Sequence, residues 1–274
     1  MKIQLLSDLH LETQPDWQPT PAPGADLLVL AGDIGSYQAK SQLSDADFGL
    51  ARFSPQLGWP TPVLFVPGNH EYDGLVFEEA HQRLRASCDK LGLTWLERES
   101  LVLRGGDGRP VRFIGSTLWS DFDALVPLDG PLAAQLKARE KAYRAANYYL
   151  RTTGTTINDG EAFLAEQVRA LSLASQQWLR QALAQPFDDG PTVVVTHFAP
   201  SLHSADPRYG LVPGTAGFCN AMDDWLPQAQ LWLHGHLHCP SNYLHKGCRV
   251  VANPLGYARK GEQDFFLPEL CITV

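Results

Sequence analysis

Two mixed β-sheets stacked face to face, with helices on the outside, is the α/β arrangement (with α+β character) that this sequence predicts. Three observations carry it. Short apolar runs alternate with helical or loop segments over the first 100 residues, as a parallel sheet requires. Shorter paired runs around a glycine turn then follow from Leu93 to Trp119, and hairpin-like runs close the chain after His238. Parallel units early and hairpins late fit one αββα sandwich of 1–274, with a helical insert at about 121–186.

The elements follow in order. Strands are expected at about 2–6, 26–30 and 63–66, with helical connections near 39–57 and 75–91. The stretch from Gln14 to Gly24 is too rich in proline for a helix and is expected to wrap the surface. Leu101–Arg104 and Val111–Gly115, joined across Gly105-Gly106-Asp107-Gly108, read as a hairpin continuing the sheet. Two helical patterns follow, about 131–151 and 161–184. The second has apolar residues at helical spacing and should pack on the core, whereas the first, rich in Lys, Arg and Tyr, should be more exposed. A strand at Val193–Val195 leads into a long loop, Ser201 to Gly217, a short helix at about 218–226, and a strand at 231–234. Two more strands, 249–252 and roughly 265–267 through 272–274, finish the sheets.

Composition frames the function. A hydrophobic fraction of 44% with 10% aromatics supports a sizeable core, and the net charge of −8 argues against generic attraction to nucleic acid or anionic membrane. No run approaches a membrane-spanning length, and Asp8 interrupts the first apolar stretch too soon for a signal peptide, so a cytoplasmic location is expected. The five cysteines are odd in number and lack Cys-x-x-Cys spacing, which suggests neither a disulfide framework nor a thiolate zinc knuckle.

The chemistry sits where apolar runs stop. Leu231-Trp232-Leu233 runs into His234-Gly235-His236-Leu237-His238, and the same grammar recurs at Asp8-Leu9-His10, Gly32-Asp33, Gly68-Asn69-His70-Glu71 and Thr196-His197. If the buried strands point one way, these carboxyl ends share one edge, where open sheets build their sites. Imidazoles and carboxylates converging there are metal ligands by type.

In this order and at these positions, the five motifs resemble the calcineurin-like metallophosphoesterase superfamily, and Asn253-Pro254-x-Gly256-Tyr257 resembles a segment of its bacterial members. The resemblance implies a double-sheet αββα sandwich and a dinuclear metal-dependent hydrolase of phosphate esters, acting by direct in-line attack of a hydroxide held between two cations. It implies that Asp8, His10, Asp33 and His238 hold one ion and Asp33, Asn69, His197 and His236 the other. Nitrogen and oxygen ligands without thiolate suit Mn, Fe or Zn in the divalent or trivalent state. The resemblance places His70 as the catalytic histidine, donating a proton to the leaving alcohol or stabilising the phosphoryl oxygens. His234 is left as a hydrogen-bonded structural histidine, and His81 as a solvated one.

The substrate is expected to be a small phosphodiester or nucleotide, with a phosphomonoester as the alternative. Gly32-Asp33-Ile34-Gly35-Ser36 lacks the Val-Asp-Arg-Gly continuation of the protein Ser/Thr phosphatases. A non-enzymatic scaffold on the same fold would have eroded ligands, and all seven ligand positions are intact here. Arg151, on the first helix of the insert, and Arg208 with Tyr209, in the loop after His197, are candidate substrate contacts.

Overall fold

The computed structural model describes residues 1–274 and divides them between two sheets. Strands β1 (Lys2–Leu6), β2 (Leu27–Ala31), β3 (Val63–Val66) and β4 (Thr94–Trp95) run parallel, and the C-terminal β11 (Cys271–Thr273) joins β1 antiparallel, in the order β11-β1-β2-β3-β4. The second sheet takes β5 (Glu99–Arg104), β6 (Pro110–Ser116), β7 (Thr192–Thr196), β8 (Leu231–His234), β9 (Ser241–His245) and β10 (Cys248–Ala252) in the order β5-β6-β7-β8-β10-β9. Its β6, β7, β8 and β10 are parallel, with antiparallel edges.

Alternate residues of each strand point to opposite faces, and this divides the core in two. Ile3, Leu5, Val29, Val66, Phe113, Val193, Val195 and Leu233 form one buried cluster joining both sheets. Leu6, Leu28, Leu30, Phe65, Ile114, Val194 and Trp232 belong to a second cluster that extends to the helices. Burial on both faces is why the central strands read as unbroken apolar runs. Helix α1 spans Phe77–Leu91, α2 Leu132–Thr153 and α3 Ala165–Leu183. Val168, Ser172, Ser175, Leu179 and Leu183 put one face of α3 into the core, whereas α2 buries only Ala142.

Four expectations fail. The stretch 39–57 is not an α-helix: Gly49 at φ 77° and Pro55 leave two 3₁₀ turns, Leu50–Phe53 and Pro55–Leu57, which bury Leu50 and Phe53. The hairpin β5–β6 does not continue the first sheet but begins the second, because β4 is only two residues long and the chain crosses layers after it. Residues 218–226 form no helix. Cys219 instead bridges Ala199, and Asn220 N–H donates to its carbonyl, which ties the chain to the loop after β7 before it turns at Asp223–Trp225. Residues 265–267 form no strand, since Phe265 and Leu267 are exposed and Pro268 follows, while β9 is an edge strand that had not been anticipated.

Candidate metal centre

The parallel strands β1, β2, β3, β7 and β8 all end at one edge, and each delivers its chemistry within a few residues of its last pair. Asp8 and His10 follow β1, Asp33 follows β2, Asn69 and His70 follow β3, His197 follows β7, and His236 and His238 follow β8. The backbone there is unusual: Asp8, His10, Asp33, His236 and His238 all have φ between 46° and 74°. Left-handed conformations at non-glycine residues cost about 1–3 kcal/mol each. They are held by long-range bonds, Asp8 N–H to Gly32 O (2.9 Å), His10 N–H to Asp33 O (3.1 Å), Gly256 N–H to Asp8 O (2.9 Å) and His236 N–H to Asp8 Oδ1 (2.9 Å). Gly235 is required between them, because a Cβ there would stand 2.6 Å from Asp8 Oδ2.

Two groups of donor atoms result. Asp8, His10, Asp33 and His238 place one ligand atom each within 4.8 Å of one another, and Asp33, His197 and His236 do the same; Asp33 belongs to both. Asn69 Oδ1 joins the second group, 3.2 Å from His197 Nε2.

Three observations test whether cations fit here. Asp8 Oδ2, Asp33 Oδ2 and His236 Nε2 are buried with no hydrogen-bond partner, an expensive condition for polar atoms unless something else meets them. Asp33 Oδ2 does lie 3.1 Å from His197 Nε2, but the two are not aligned as donor and acceptor. The imidazoles, moreover, are oriented from behind. His10 Nδ1 meets Glu12 Oε1 at 3.0 Å, His238 Nδ1 meets Glu262 Oε2 at 2.7 Å and His197 Nδ1 meets the Ala31 carbonyl at 2.8 Å. For His10 and His238 the partner fixes the proton on Nδ1 and leaves the Nε2 lone pair facing inward, whereas burial of His197 is outweighed by the carboxylates of Asp33 and Asp8, which raise its pKa to about 9, so a cation there displaces its Nε2 proton. His10 and His238 then aim these lone pairs at each other across 2.9 Å, a repulsive arrangement that a cation between them relieves. Finally, burial holds His10 and His236 well below the usual histidine pKa, so both are neutral and able to ligate. The residues fit a pair of metal ions.

His70 stands beside this cluster, its ring centroid 5.0 Å from that of His10. Its backbone N–H donates to Asp33 Oδ1 (2.8 Å), its Nδ1 pairs with Asp73 Oδ2 (2.6 Å), and its Nε2 lies 3.1 Å from the Tyr149 hydroxyl. Burial opposes charge on the ring, but the carboxylates of Asp73 and Asp33 outweigh it and raise the pKa well above the usual value. Glu71 orients the backbone, accepting from the N–H groups of Gly68 (2.7 Å), Ile34 (2.6 Å) and Asp33 (3.1 Å).

The other sequence candidates fall elsewhere. Arg151 is exposed near the end of α2 and makes no ion pair; Tyr149, two residues earlier, is the α2 side chain that reaches the site. Arg208 is exposed and folded back on Asp206, with Nη2 2.6 Å and Nε 2.8 Å from Oδ2. Tyr209 lines a cavity of about 290 Å³ with Phe218, Val212 and Leu237. His234 is buried between Ser204 Oγ (3.0 Å) and the Gly235 carbonyl (2.9 Å), a structural histidine as read. His81 is not solvated: it is half-buried, 2.9 Å from the Tyr72 hydroxyl, and packed edge-on against Trp95. Sequence reasoning missed Glu12, Glu262 and Asp73. Only Glu12 and Asp73, two and three residues from the histidines they orient, carried a local signal.

The calcineurin-like phosphoesterase family profile matches residues 1–240, and this chain belongs to that family. It is a metal-dependent phosphoesterase. An uncharacterized protein, L509, of Acanthamoeba polyphaga mimivirus is 24% identical over 307 aligned positions, covering 99% of this chain and 96% of its own. The crystal structure of the phosphopantetheinyl hydrolase PptH from Mycobacterium tuberculosis superposes with a TM-score of 0.64 at 23% identity, covering 96% of this chain and 92% of that one, and so shares the fold.

Proposed function

We propose that this chain is a phosphodiesterase acting on a small phosphodiester. The observation that carries the reading is a cavity of about 180 Å³ that opens on Asn69 and His236 and is walled by Trp119, Phe122, Tyr149, Phe198 and Phe218, with no arginine or lysine in its lining. A phosphomonoester carries close to two negative charges at neutral pH, and proteins commonly meet such groups with guanidinium or ammonium. A diester carries one charge and a second organic group, for which an aromatic, uncharged wall is the better match. Phe198 and Phe218 lie against the His236 ring, at 3.9 and 5.0 Å between centroids, so the wall begins at the proposed ligands themselves.

On this reading Asp8, His10, Asp33 and His238 hold one ion, and Asp33, Asn69, His197 and His236 the other. When bound, the two ions acidify a water for attack and offset the charge that grows on the phosphoryl oxygens. The protein's own groups do the rest. Glu12 and Glu262 hold the imidazoles of His10 and His238 in register, and Asp73 keeps His70 protonated with one N–H turned away from the carboxylate. That Nε2–H, resting on the Tyr149 oxygen, is placed to pass its proton to a departing alkoxide. The aromatic wall excludes water and seats the second ester group.

The Mycobacterium tuberculosis neighbour is named for a phosphopantetheinyl group, which makes a phosphopantetheinyl ester one member of the test panel beside nucleotide and alkyl diesters. Purified protein loaded separately with Mn, Fe or Zn should hydrolyse diesters with kcat/KM about tenfold or more above the matching monoesters. A monoester preference of that size would replace the proposal with a phosphomonoesterase.

A further inference from the structure

A second constellation of metal-ligating side chains stands apart from the strand-end site. His203 lies in the 3₁₀ turn Leu202–Ser204 after β7, Asp223 in the turn leading toward β8, and His245 at the end of β9. One donor atom from each lies within 4.8 Å of the other two. His203 Nε2 is 3.6 Å from Asp223 Oδ1, and the two imidazole centroids are 5.4 Å apart. We propose that His203, Asp223 and His245 form a third cation site, for zinc or a similar transition ion, that clips the loop after β7 to the β9–β10 hairpin.

His245 supplies the first argument. Its Nε2 is buried and no protein group hydrogen-bonds to it. An unmet buried nitrogen is costly, and ligation is the ordinary way for an imidazole to recover that cost.

The second argument is preorganisation. Ser201 is buried, and its hydroxyl accepts from His203 N–H (3.1 Å) while donating to Asp223 Oδ1 (2.8 Å), so one side chain fixes the Asp223 carboxylate and the backbone from which the His203 ring projects. Such supporting bonds are what hold metal ligands in register. His245 is fixed differently. It pairs with Cys248 across a two-residue turn, Lys246-Gly247, whose φ angles of 46° and 94° are both positive, as the tightest hairpins require. β10 then pairs with β8, anchoring the hairpin in the sheet.

Donor chemistry and charge agree. Two nitrogens and a carboxylate suit zinc, cobalt, nickel or copper better than calcium or magnesium. Lys246 is engaged with Asp224, and no arginine or lysine neutralises Asp223. With Zn–N near 2.0 Å, tetrahedral ligand atoms stand about 3.4 Å apart. Rotation of the His203 side chain, which is 62% exposed, supplies the remaining closure, and its exposure leaves the fourth position to water.

Equilibrium dialysis against micromolar zinc followed by elemental analysis tests the site. The parent protein should carry one zinc per chain more than His203→Ala and one more than Asp223→Asn, the second variant keeping the shape that Ser201 bonds. The same difference should persist in an Asp33→Asn background, which separates this site from the strand-end centre. Thermal unfolding in the Asp33→Asn background should show zinc raising the Tm more than in the same background carrying His203→Ala or Asp223→Asn. Equal zinc content in the parent and both variants, or a difference that disappears with Asp33→Asn, overturns the proposal.

Discussion

Replacing His70 separates the work of a proton from the work of metal ions. General acid catalysis by a positioned side chain is worth about 10²–10⁴ in rate, or about 2.7–5.5 kcal/mol. The geometry argues for a substantial share of that range here: the ring is clamped between Asp73 at 2.6 Å and Tyr149 at 3.1 Å, so little orientation is left to be found during reaction. His70→Ala should therefore slow hydrolysis of alkyl or ribose esters by about 10²-fold or more, and slow an activated nitrophenyl ester by about tenfold or less, since a stable leaving anion needs no proton. Removing the ring also leaves Asp73 buried without its partner, so His70→Gln, which can still donate to that carboxylate, is the companion variant. The assay is kcat/KM on both ester types with metal content measured in the same preparations. Equal slowing of both substrates would refute proton donation and favour stabilisation of the phosphoryl oxygens; no slowing of either would make His70 structural.

Asp33→Asn should lower metal content at both positions, because its carboxylate is shared by both donor groups, whereas His238→Ala should chiefly deplete one; elemental analysis of each variant decides this. Glu262→Gln, which touches no metal but orients His238, should weaken metal affinity by about 10–100-fold, measured by competition with a chelator. His81 tests burial. Because burial lowers its pKa below the unfolded 6.5, the unfolded chain binds more protons at this site below that pH; its contribution to stability should fall as pH drops below about 6.5, so His81→Gln should lose less stability than the parent over that range, as read by urea unfolding.

The sequence by itself determined the strand ends and what stands on them. Apolar runs such as Val193–Val195 are buried on both faces and therefore continuous, and a polar residue closing such a run must lie at the sheet edge. That is a local rule, so the motifs carrying Asp8, His10, Asp33, Asn69, His197, His236 and His238 could be found without coordinates, and it was their resemblance to the calcineurin-like phosphoesterases that implied these seven as ligands. The local rule failed where local pattern is ambiguous: Leu50 and Phe53 have helical spacing, but two 3₁₀ turns bury them equally well. Tertiary structure alone decided the supporting groups. Glu262 reaches back 24 residues to His238, a separation over which no periodicity carries information. It also decided which cations are free, since Arg208 could serve a phosphate by its charge but is spent on Asp206. A side chain's type is written in the chain, whereas its partner depends on how distant segments close upon one another.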